Sequence, residues 1–328
     1  MPLLLNAEEV KSVLNMKDCI QVVESAFAEL SNGTAALPLR NNISQKDDLP
    51  GIALYMPAYL KELNALACKV VTVYKDNPDK YDMPTTIGKV LLQNPETGEV
   101  ICIMDGGYLT AVRTGAASGV ANKYLARQTG KQNIGIYGTG VQAQMQLWAM
   151  KETVDIDTVK VYDINPDAAD TFVVNMTAMH GLNIIKAEKP DQLLDSDIIC
   201  TATSSAQPLW DGAQLKPGTH INNIGSHSPG YRELDTETVK RSKFVGDSRA
   251  ACLNEAGDII IPIQEGAIGE DHFYAELGDL VTGKALGRQN DQEITVFKSN
   301  GLAIQDVAAA KLIYDKAIEA GIGTFVDI

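Results

Sequence analysis

Apolar and polar positions change rhythm once along the chain. Residues 7–14 and 17–31 carry apolar side chains at helical spacing, with Asn6 placed to cap the first stretch and Asn32-Gly33 to close the second. Extended segments follow over 37–43, 51–57, 65–74 and 87–92. The last turns through Asn94-Pro-Glu-Thr-Gly98 into 100–104, the pattern of a hairpin. Asp105-Gly-Gly107 then leads into a long helix over 109–127, with Ala and Gly on one face for close packing. From residue 132 the rhythm becomes a regular alternation. Short apolar runs at 134–137, 159–162, 183–186, 198–202, 220–224 and 244–246 read as strands, with helices at 142–151 and 168–179. A last strand over 293–297 precedes Ser299-Asn-Gly301 and an amphipathic helix over 303–320. Alternating strands and helices predict a parallel sheet covered on both faces. The first third predicts a smaller α+β domain, to which the closing helix could return.

The sharpest local signal is Asn133-Ile-Gly-Ile-Tyr-Gly-Thr-Gly-Val-Gln-Ala143, an apolar strand running into a G-x-G-x-x-A turn. Gly138 permits the tight turn, and Gly140 lets the backbone approach a pyrophosphate. Ala143 is small enough for a helix starting near Val141 to pack on the strand, its N-terminal amides facing the phosphates. The next strand ends at Asp163, roughly 20 residues on, where an acidic side chain grips a ribose 2′-hydroxyl. That carboxylate repels a 2′-phosphate, so NADH is preferred over NADPH, although Lys160 and Asn165 lie close enough to soften the preference. The alternative for Asp163 is a turn former ahead of Asn165-Pro166. The fold class expected is α/β: a Rossmann dinucleotide-binding domain over 115–301, plus an α+β domain from 1–114 and 302–328.

Composition narrows the partners. The 328 residues are 45% apolar and 21% charged, ordinary for a globular chain, and the net charge of −14 argues against nucleic acid or an anionic membrane. There is no apolar run long enough to span a bilayer and no basic-then-apolar leader, which predicts a cytoplasmic protein. Cys19, Cys68, Cys102, Cys200 and Cys252 are scattered and odd in number, and the four histidines lack ligand spacing. Neither a disulfide framework nor a metal site is expected.

Several segments together resemble the ornithine cyclodeaminase/mu-crystallin family, which includes ketimine reductases and archaeal alanine dehydrogenases. They are Leu54-Tyr-Met-Pro-Ala-Tyr59, Cys68-Lys-Val-Val71, Asp105-Gly-Gly107 with Thr110-Ala-Val-Arg-Thr-Gly-Ala-Ala117, Gly138-Thr-Gly-Val-Gln-Ala143, Asn222-Asn-Ile-Gly-Ser-His-Ser-Pro-Gly230, and the run from Ile294 to Asp306. They occur in the family's order along almost the whole chain. The resemblance implies a homodimer built by the first domain, with substrate bound there. It places the substrate carboxylate on Arg40, Lys69 and Arg113. Independently, a small acid needs several cations to replace its hydration, and guanidinium clamps a carboxylate with two hydrogen bonds. Lys69 stands inside an apolar strand, where a charge asks for a partner; its other reading is an edge lysine facing solvent. Around the cofactor the resemblance places Thr85, Thr86, Arg113, Thr114, Gly138, Gly140, Val141, Gln142, Asp163, Thr201, Ala202, Thr203, Ile224 and Ser299.

The chain departs from the ornithine cyclodeaminases at two acidic positions, occupied here by Leu54 and His227. Those carboxylates serve an extra side-chain amine, which is cationic at neutral pH. The expected reaction is therefore reduction of a cyclic ketimine carboxylate such as Δ1-pyrroline-2-carboxylate to L-proline. His227, with an ordinary pKa of about 6.5, has two readings: it keeps the imine nitrogen protonated, or it is a loop histidine bonded to backbone. Ornithine cyclodeamination, oxidative deamination of a small amino acid such as alanine, and a non-enzymatic nucleotide-binding role remain as alternatives.

Overall fold

The computed structural model describes residues 1–38, 41–44 and 49–327. The chain divides into two compact units, Met1–Arg113 with Leu302–Ile328, and Thr114–Gly301.

In the first unit, strands Leu3–Leu5, Val100–Asp105, Thr86–Gln93, Ala65–Val73 and Ile52–Leu60 lie side by side in that order. All pair antiparallel except Leu3–Leu5, which runs parallel to Val100–Asp105. Alternation along the strands sorts the side chains into two faces. The register row Leu5–Met104–Val90–Lys69–Met56 is buried throughout. The neighbouring row Leu4–Ile103–Leu91–Cys68–Pro57 is half-buried. The closing helix, Ala303–Ala320, packs on this sheet and on helix Met16–Asn32. Its first half, from Ala303 to Ala310, is buried on every side, the mark of a core helix rather than a surface one.

Local chemistry explains the helix ends. Asn6 accepts from the amides of Glu8 and Glu9 while Glu9 reaches back to the Asn6 amide, a complete capping box for Ala7–Val13. Met16–Asn32 stops at Gly33, which takes the left-handed conformation at φ 75°. The expected strand over 51–57 in fact runs on to Leu60 through Pro57. Pro57 is tolerated because the described pairings on its far side stop short of it, Ala36 opposite Tyr59 and Asn41 opposite Tyr55. The expected strand over 37–43 is replaced, among the described residues, by two short ones, Ala35–Ala36 and Asn41–Ile43.

The second unit holds an eight-stranded sheet in which every pairing is parallel. Its spatial order is Ile184–Lys186, Ile156–Tyr162, Gln132–Tyr137, Ile198–Thr201, His220–Asn223, Ile294–Lys298, Ser242–Gly246, Phe273–Glu276. The first five strands follow the order 3-2-1-4-5 of a doubly wound nucleotide-binding fold, with the switch point between Gln132–Tyr137 and Ile198–Thr201. Two apolar cores line opposite faces. Ile198 and Cys200 join Leu147, Met150, Phe172 and Met176 of helices Val141–Thr153 and Pro166–His180. Ile199, between them, points into the other core with Val239, Cys252 and Ile259.

A buried polar chain runs through this unit. His220 contacts Thr295 Oγ1 at 2.9 Å and Asn222 Oδ1 at 3.3 Å, and Asn222 Nδ2 donates to Asn122 Oδ1 at 2.9 Å. Burial drives the His220 pKa down to about 3, with the Arg288 charge adding to the shift. The folded protein therefore keeps His220 neutral where the unfolded chain would protonate it. This contribution is fully present above the unfolded pKa of about 6.5 and is lost as pH falls towards 3, at a slope near 1.4 kcal/mol per pH unit. Urea melts between pH 7 and pH 4 should show His220→Gln losing stability less steeply with acid than the parent; parallel pH dependences would refute this account.

Candidate active site

The carboxyl edge of the parallel sheet is in close register. Tyr162, Tyr137, Thr201, Asn223, Lys298 and Gly246 form one row across six strands. Each member after Tyr162 is followed by a residue whose amide donates to the preceding member of the row. Gly138 donates to the Tyr162 carbonyl at 2.9 Å, Ala202 to Tyr137 at 2.9 Å, Ile224 to Thr201 at 3.0 Å, Ser299 to Asn223 at 3.1 Å and Asp247 to Lys298 at 3.0 Å. The sheet thus gathers Gly138, Ala202, Ile224 and Ser299, four residues named from sequence, onto one line just beyond the strand ends. Asp163 follows Tyr162 at the same level.

Gly138 is required where it stands. Its φ is 92°, and a Cβ there would lie 2.5 Å from the Ala202 carbonyl oxygen. Gly140 caps helix Val141–Thr153 through backbone alone, and a Cβ built on it would meet no atom within 4 Å, so its front is open. Asp163 accepts from Thr139 Oγ1 at 2.7 Å and from the Asn165 amide at 2.9 Å. Those bonds tie the second strand's end to the glycine turn and give the residue its turn-forming role. Two buried polar atoms here, Gln142 Oε1 and Ser299 Oγ, have no protein hydrogen-bond partner. An open amide-lined turn, an adjacent carboxylate and orphaned polar atoms together suit a dinucleotide. Val141 is exposed at the helix start, and Thr114 is buried, its carbonyl accepting from Gln146 Nε2 at 3.3 Å. His227 is exposed on the loop after strand His220–Asn223.

The first unit contains the cationic residues. Lys69 Nζ lies 2.7 Å from Asp306 Oδ2, and Arg113 Nε donates to Asp306 Oδ1 at 2.9 Å. Arg113 Nη1 also donates to Gln305 Oε1 at 2.6 Å. Lys69 is 2% exposed, Arg113 5% and Asp306 0%, so the solvent-facing reading of Lys69 fails. Two buried cations share one carboxylate here among the described residues. Thr85 is half-exposed, and Thr86 opens its strand exposed to solvent. Arg40 lies outside the described residues.

Sequence reasoning missed the groups that hold these parts in place. Asp306 closed a quoted motif without a role, although a lysine within an apolar strand signals that some buried anion must exist. Glu233, Asp258, Asp247 and Lys298 gave no signal, because in sequence a lone charge looks like any solvated charge. Yet all four are 0% exposed. Asp247 Oδ2 accepts from the amides of Asn300 and Gly301, both at 2.7 Å, and so fixes the turn after Ser299.

Comparison with known proteins agrees in extent and fold. Residues 1–321 match the Ornithine cyclodeaminase/mu-crystallin family. A Δ1-pyrroline-2-carboxylate reductase of Bacillus thuringiensis subsp. konkukian is 36% identical over 327 residues, covering 99% of each chain. The Thermococcus litoralis Δ1-pyrroline-2-carboxylate reductase, solved in complex with NADH and L-proline, superposes with a TM-score of 0.94 at 47% identity, covering 99% of this chain and 100% of that one. An archaeal alanine dehydrogenase dimer with bound NAD superposes with a TM-score of 0.93 at 36% identity, covering 100% of this chain and 99% of the other. A glycine turn at the sheet's switch point, a buried cation pair on one carboxylate and likeness along the entire length lead to one assignment: this chain belongs to the ornithine cyclodeaminase/mu-crystallin family.

Proposed function

We propose that the protein reduces a small cyclic ketimine carboxylate, of which Δ1-pyrroline-2-carboxylate is the leading example, with NADH as hydride donor. The observation that carries this reading is the pair of buried cations, Lys69 and Arg113, held on the single carboxylate of Asp306. A substrate carboxylate would bring the second anion for that pair, and guanidinium and ammonium at a dry site bind it through charge-assisted hydrogen bonds. Arg40 is the third cation of this reading. Likeness favours reduction of an imine, since identity to the pyrroline-2-carboxylate reductase structure is 47% against 36% for the alanine dehydrogenase.

Bound NADH supplies the hydride. The chain's own residues then have three tasks. Gly138, Gly140, Val141 and Gln142 cradle the pyrophosphate at the start of helix Val141–Thr153, with Asp163 on the adenosine ribose. Thr114, Thr201, Ala202, Thr203, Ile224 and Ser299 shape the nicotinamide half of the site. Lys69 and Arg113 hold the substrate by its carboxylate and so fix the orientation of its C=N bond. With the ring nitrogen already protonated, one carbon–hydrogen bond forms, the C=N double bond becomes a C–N single bond and the amine needs no further proton; orientation is the main demand. Leu54 offers no charge to a second amine. In this reading His227 keeps the imine nitrogen protonated before the hydride arrives.

The protein in this reading is a cytoplasmic homodimer of residues 1–114 and 302–328 paired across subunits, with 115–301 binding NADH. Five free cysteines suit a reducing compartment, and among the described residues no helix is long and apolar enough to cross a membrane. The half-buried row Leu4–Ile103–Leu91–Cys68–Pro57 is the apolar face a second copy would cover. Sedimentation should give a dimer; a monomer at micromolar concentration would remove that assembly.

The deciding assay follows nicotinamide absorbance with Δ1-pyrroline-2-carboxylate and NADH, beside pyruvate with ammonia and NADH, and ornithine with NAD⁺. Turnover of the cyclic imine alone is expected. Ammonia-dependent oxidation with pyruvate would make the protein an alanine dehydrogenase, ornithine turnover a cyclodeaminase, and tight NADH binding without turnover a nucleotide-binding protein. In Lys69→Met, loss of one charged hydrogen bond should raise the imine KM roughly tenfold to a hundredfold with NADH affinity preserved. An unchanged KM would take Lys69 out of the carboxylate site.

A further inference from the structure

The second unit contains an ionic network outside the roles assigned above, and it sits directly behind the carboxyl edge of the sheet. Glu233 lies in the segment between strand His220–Asn223 and helix Thr236–Arg241 and is 0% exposed. Its carboxylate accepts five hydrogen bonds. Oε1 takes the Thr203 amide at 2.8 Å and the Thr203 hydroxyl at 2.7 Å. Oε2 takes the Thr201 hydroxyl at 2.7 Å, Asn223 Nδ2 at 3.0 Å and the Gly225 amide at 2.8 Å. These donors belong to two adjacent strand ends and the loops that leave them. The loops press together at this point, since a Cβ on Gly225 would lie 2.2 Å from the Thr203 carbonyl oxygen.

The third strand end is joined to the same network. Lys298 Nζ donates to the Ser226 carbonyl at 2.7 Å and pairs with Asp258 Oδ2 at 3.1 Å. Asp258 Oδ1 in turn accepts from the amides of Glu233 and Leu234 at 2.8 and 2.9 Å. Thr201, Asn223 and Lys298 are neighbours in the register row, and Ala202, Ile224 and Ser299 are the next residues along. Burial pushes the Glu233 carboxyl above its ordinary range, with Asp258 adding to the effect, while Lys298 and the two threonine hydroxyls pull it back. A carboxylate with this many donors is costly to bury for packing alone, because a hydrophobic side chain of similar size would fill the space without the desolvation. What only a multiply bonded acceptor supplies is a fixed separation between two loops.

We propose that Glu233 is a positioning residue for the dinucleotide: through Thr203 and Gly225 it sets the two loops that bound the nicotinamide half of the site, with Asp258 and Lys298 holding Glu233 and the Ser226 loop in turn. The inference rests on the reading of this edge as the NADH site and adds the determinant of how tightly and in what register the ring is held. Replacing Glu233 by Gln keeps the volume but turns an amide NH₂ towards backbone and side-chain donors in either flip, so the loops must move apart. Replacing Thr203 by Val removes one donor and leaves the amide in place.

The test measures NADH binding by fluorescence titration, steady-state kinetics with Δ1-pyrroline-2-carboxylate, and thermal melting of the apo-protein, for the parent and three variants. In Glu233→Gln the NADH Kd should rise and kcat at saturating NADH should fall, each by roughly tenfold or more, with the imine KM within about twofold of the parent. A purely structural role would lower the melting temperature and leave Kd, kcat and KM of the folded fraction unchanged, which would overturn the proposal. If Glu233→Gln does not fold, Thr203→Val decides. It should weaken NADH binding about threefold to tenfold, with Thr203→Ser restoring the parent value. Equal NADH affinity in Thr203→Val, Thr203→Ser and the parent would overturn it. A parent protein that binds no NADH would overturn the underlying reading of the site, an outcome distinct from a parent that binds NADH and a Glu233 variant that binds it equally well.

Discussion

Asp306 holds two costly cations, Lys69 and Arg113, inside the protein. Removing an ammonium or a guanidinium from water costs several kcal/mol, about the order of a whole domain's net stability when two are involved. Lys69 and Arg113 are nonetheless almost fully buried, and each has one oxygen of the same carboxylate. The arrangement constrains the first unit in two ways. Lys69 occupies a place in the register row Leu5–Met104–Val90–Lys69–Met56 that is otherwise apolar, and Asp306 supplies the anion that pairs with it there. The anion arrives on Ala303–Ala320, the closing helix, which is buried on all sides over its first half. The end of the chain is therefore part of the first sheet's core.

The second unit solves its problem differently. There the positions beyond the strand ends are set by parallel register and by amide-to-carbonyl bonds from one strand end to the next. Such a site is largely a property of the backbone. It tolerates Ala202 and Ile224, which bring no chemistry of their own, and it needs a special residue only where conformation demands one, as at Gly138. Charged side chains enter behind this edge, at Glu233, Asp258, Lys298 and Asp247, where each binds backbone amides or carbonyls of the departing loops. The first unit's buried charges converge on one carboxylate; the second unit's hold loops.

What could be read from sequence follows the range of the interaction. The glycine turn and the helix behind it were legible because cap, turn and strand lie within a dozen residues, and the alternating strands of the second unit because their pattern is local. Lys69 was legible as an anomaly, yet its partner was not, since nothing in a linear pattern joins residue 69 to residue 306. The short helices Thr236–Arg241, Arg249–Glu255 and Gly257–Gln264 span too few turns for a period to stand out. Pro57 hid the last three residues of its strand, because a proline argues against a strand unless the neighbouring edge is known to be interrupted. Glu233 was invisible for a related reason: only tertiary structure distinguishes a buried, five-fold bonded carboxylate from a solvated one.

These two uses of charge bear on which substrate the protein suits. A cyclic imino acid has one carboxylate and one positive charge, delocalised over the C=N bond in its protonated form. A diamino acid brings, in addition, a localised ammonium that demands a carboxylate of its own. Among the described residues the cation cluster of the first unit has its single carboxylate already committed to Lys69 and Arg113, and Leu54 contributes none. If the cluster holds the substrate as proposed, a second ammonium there would lose its hydration without gaining an ion pair, a penalty of several kcal/mol. The planar imine avoids that penalty, because its charge is dispersed and is consumed by the hydride that it accepts. The same arithmetic of charges that stabilises Asp306 in the core thus favours a substrate with one anion to give and no separate cation to satisfy.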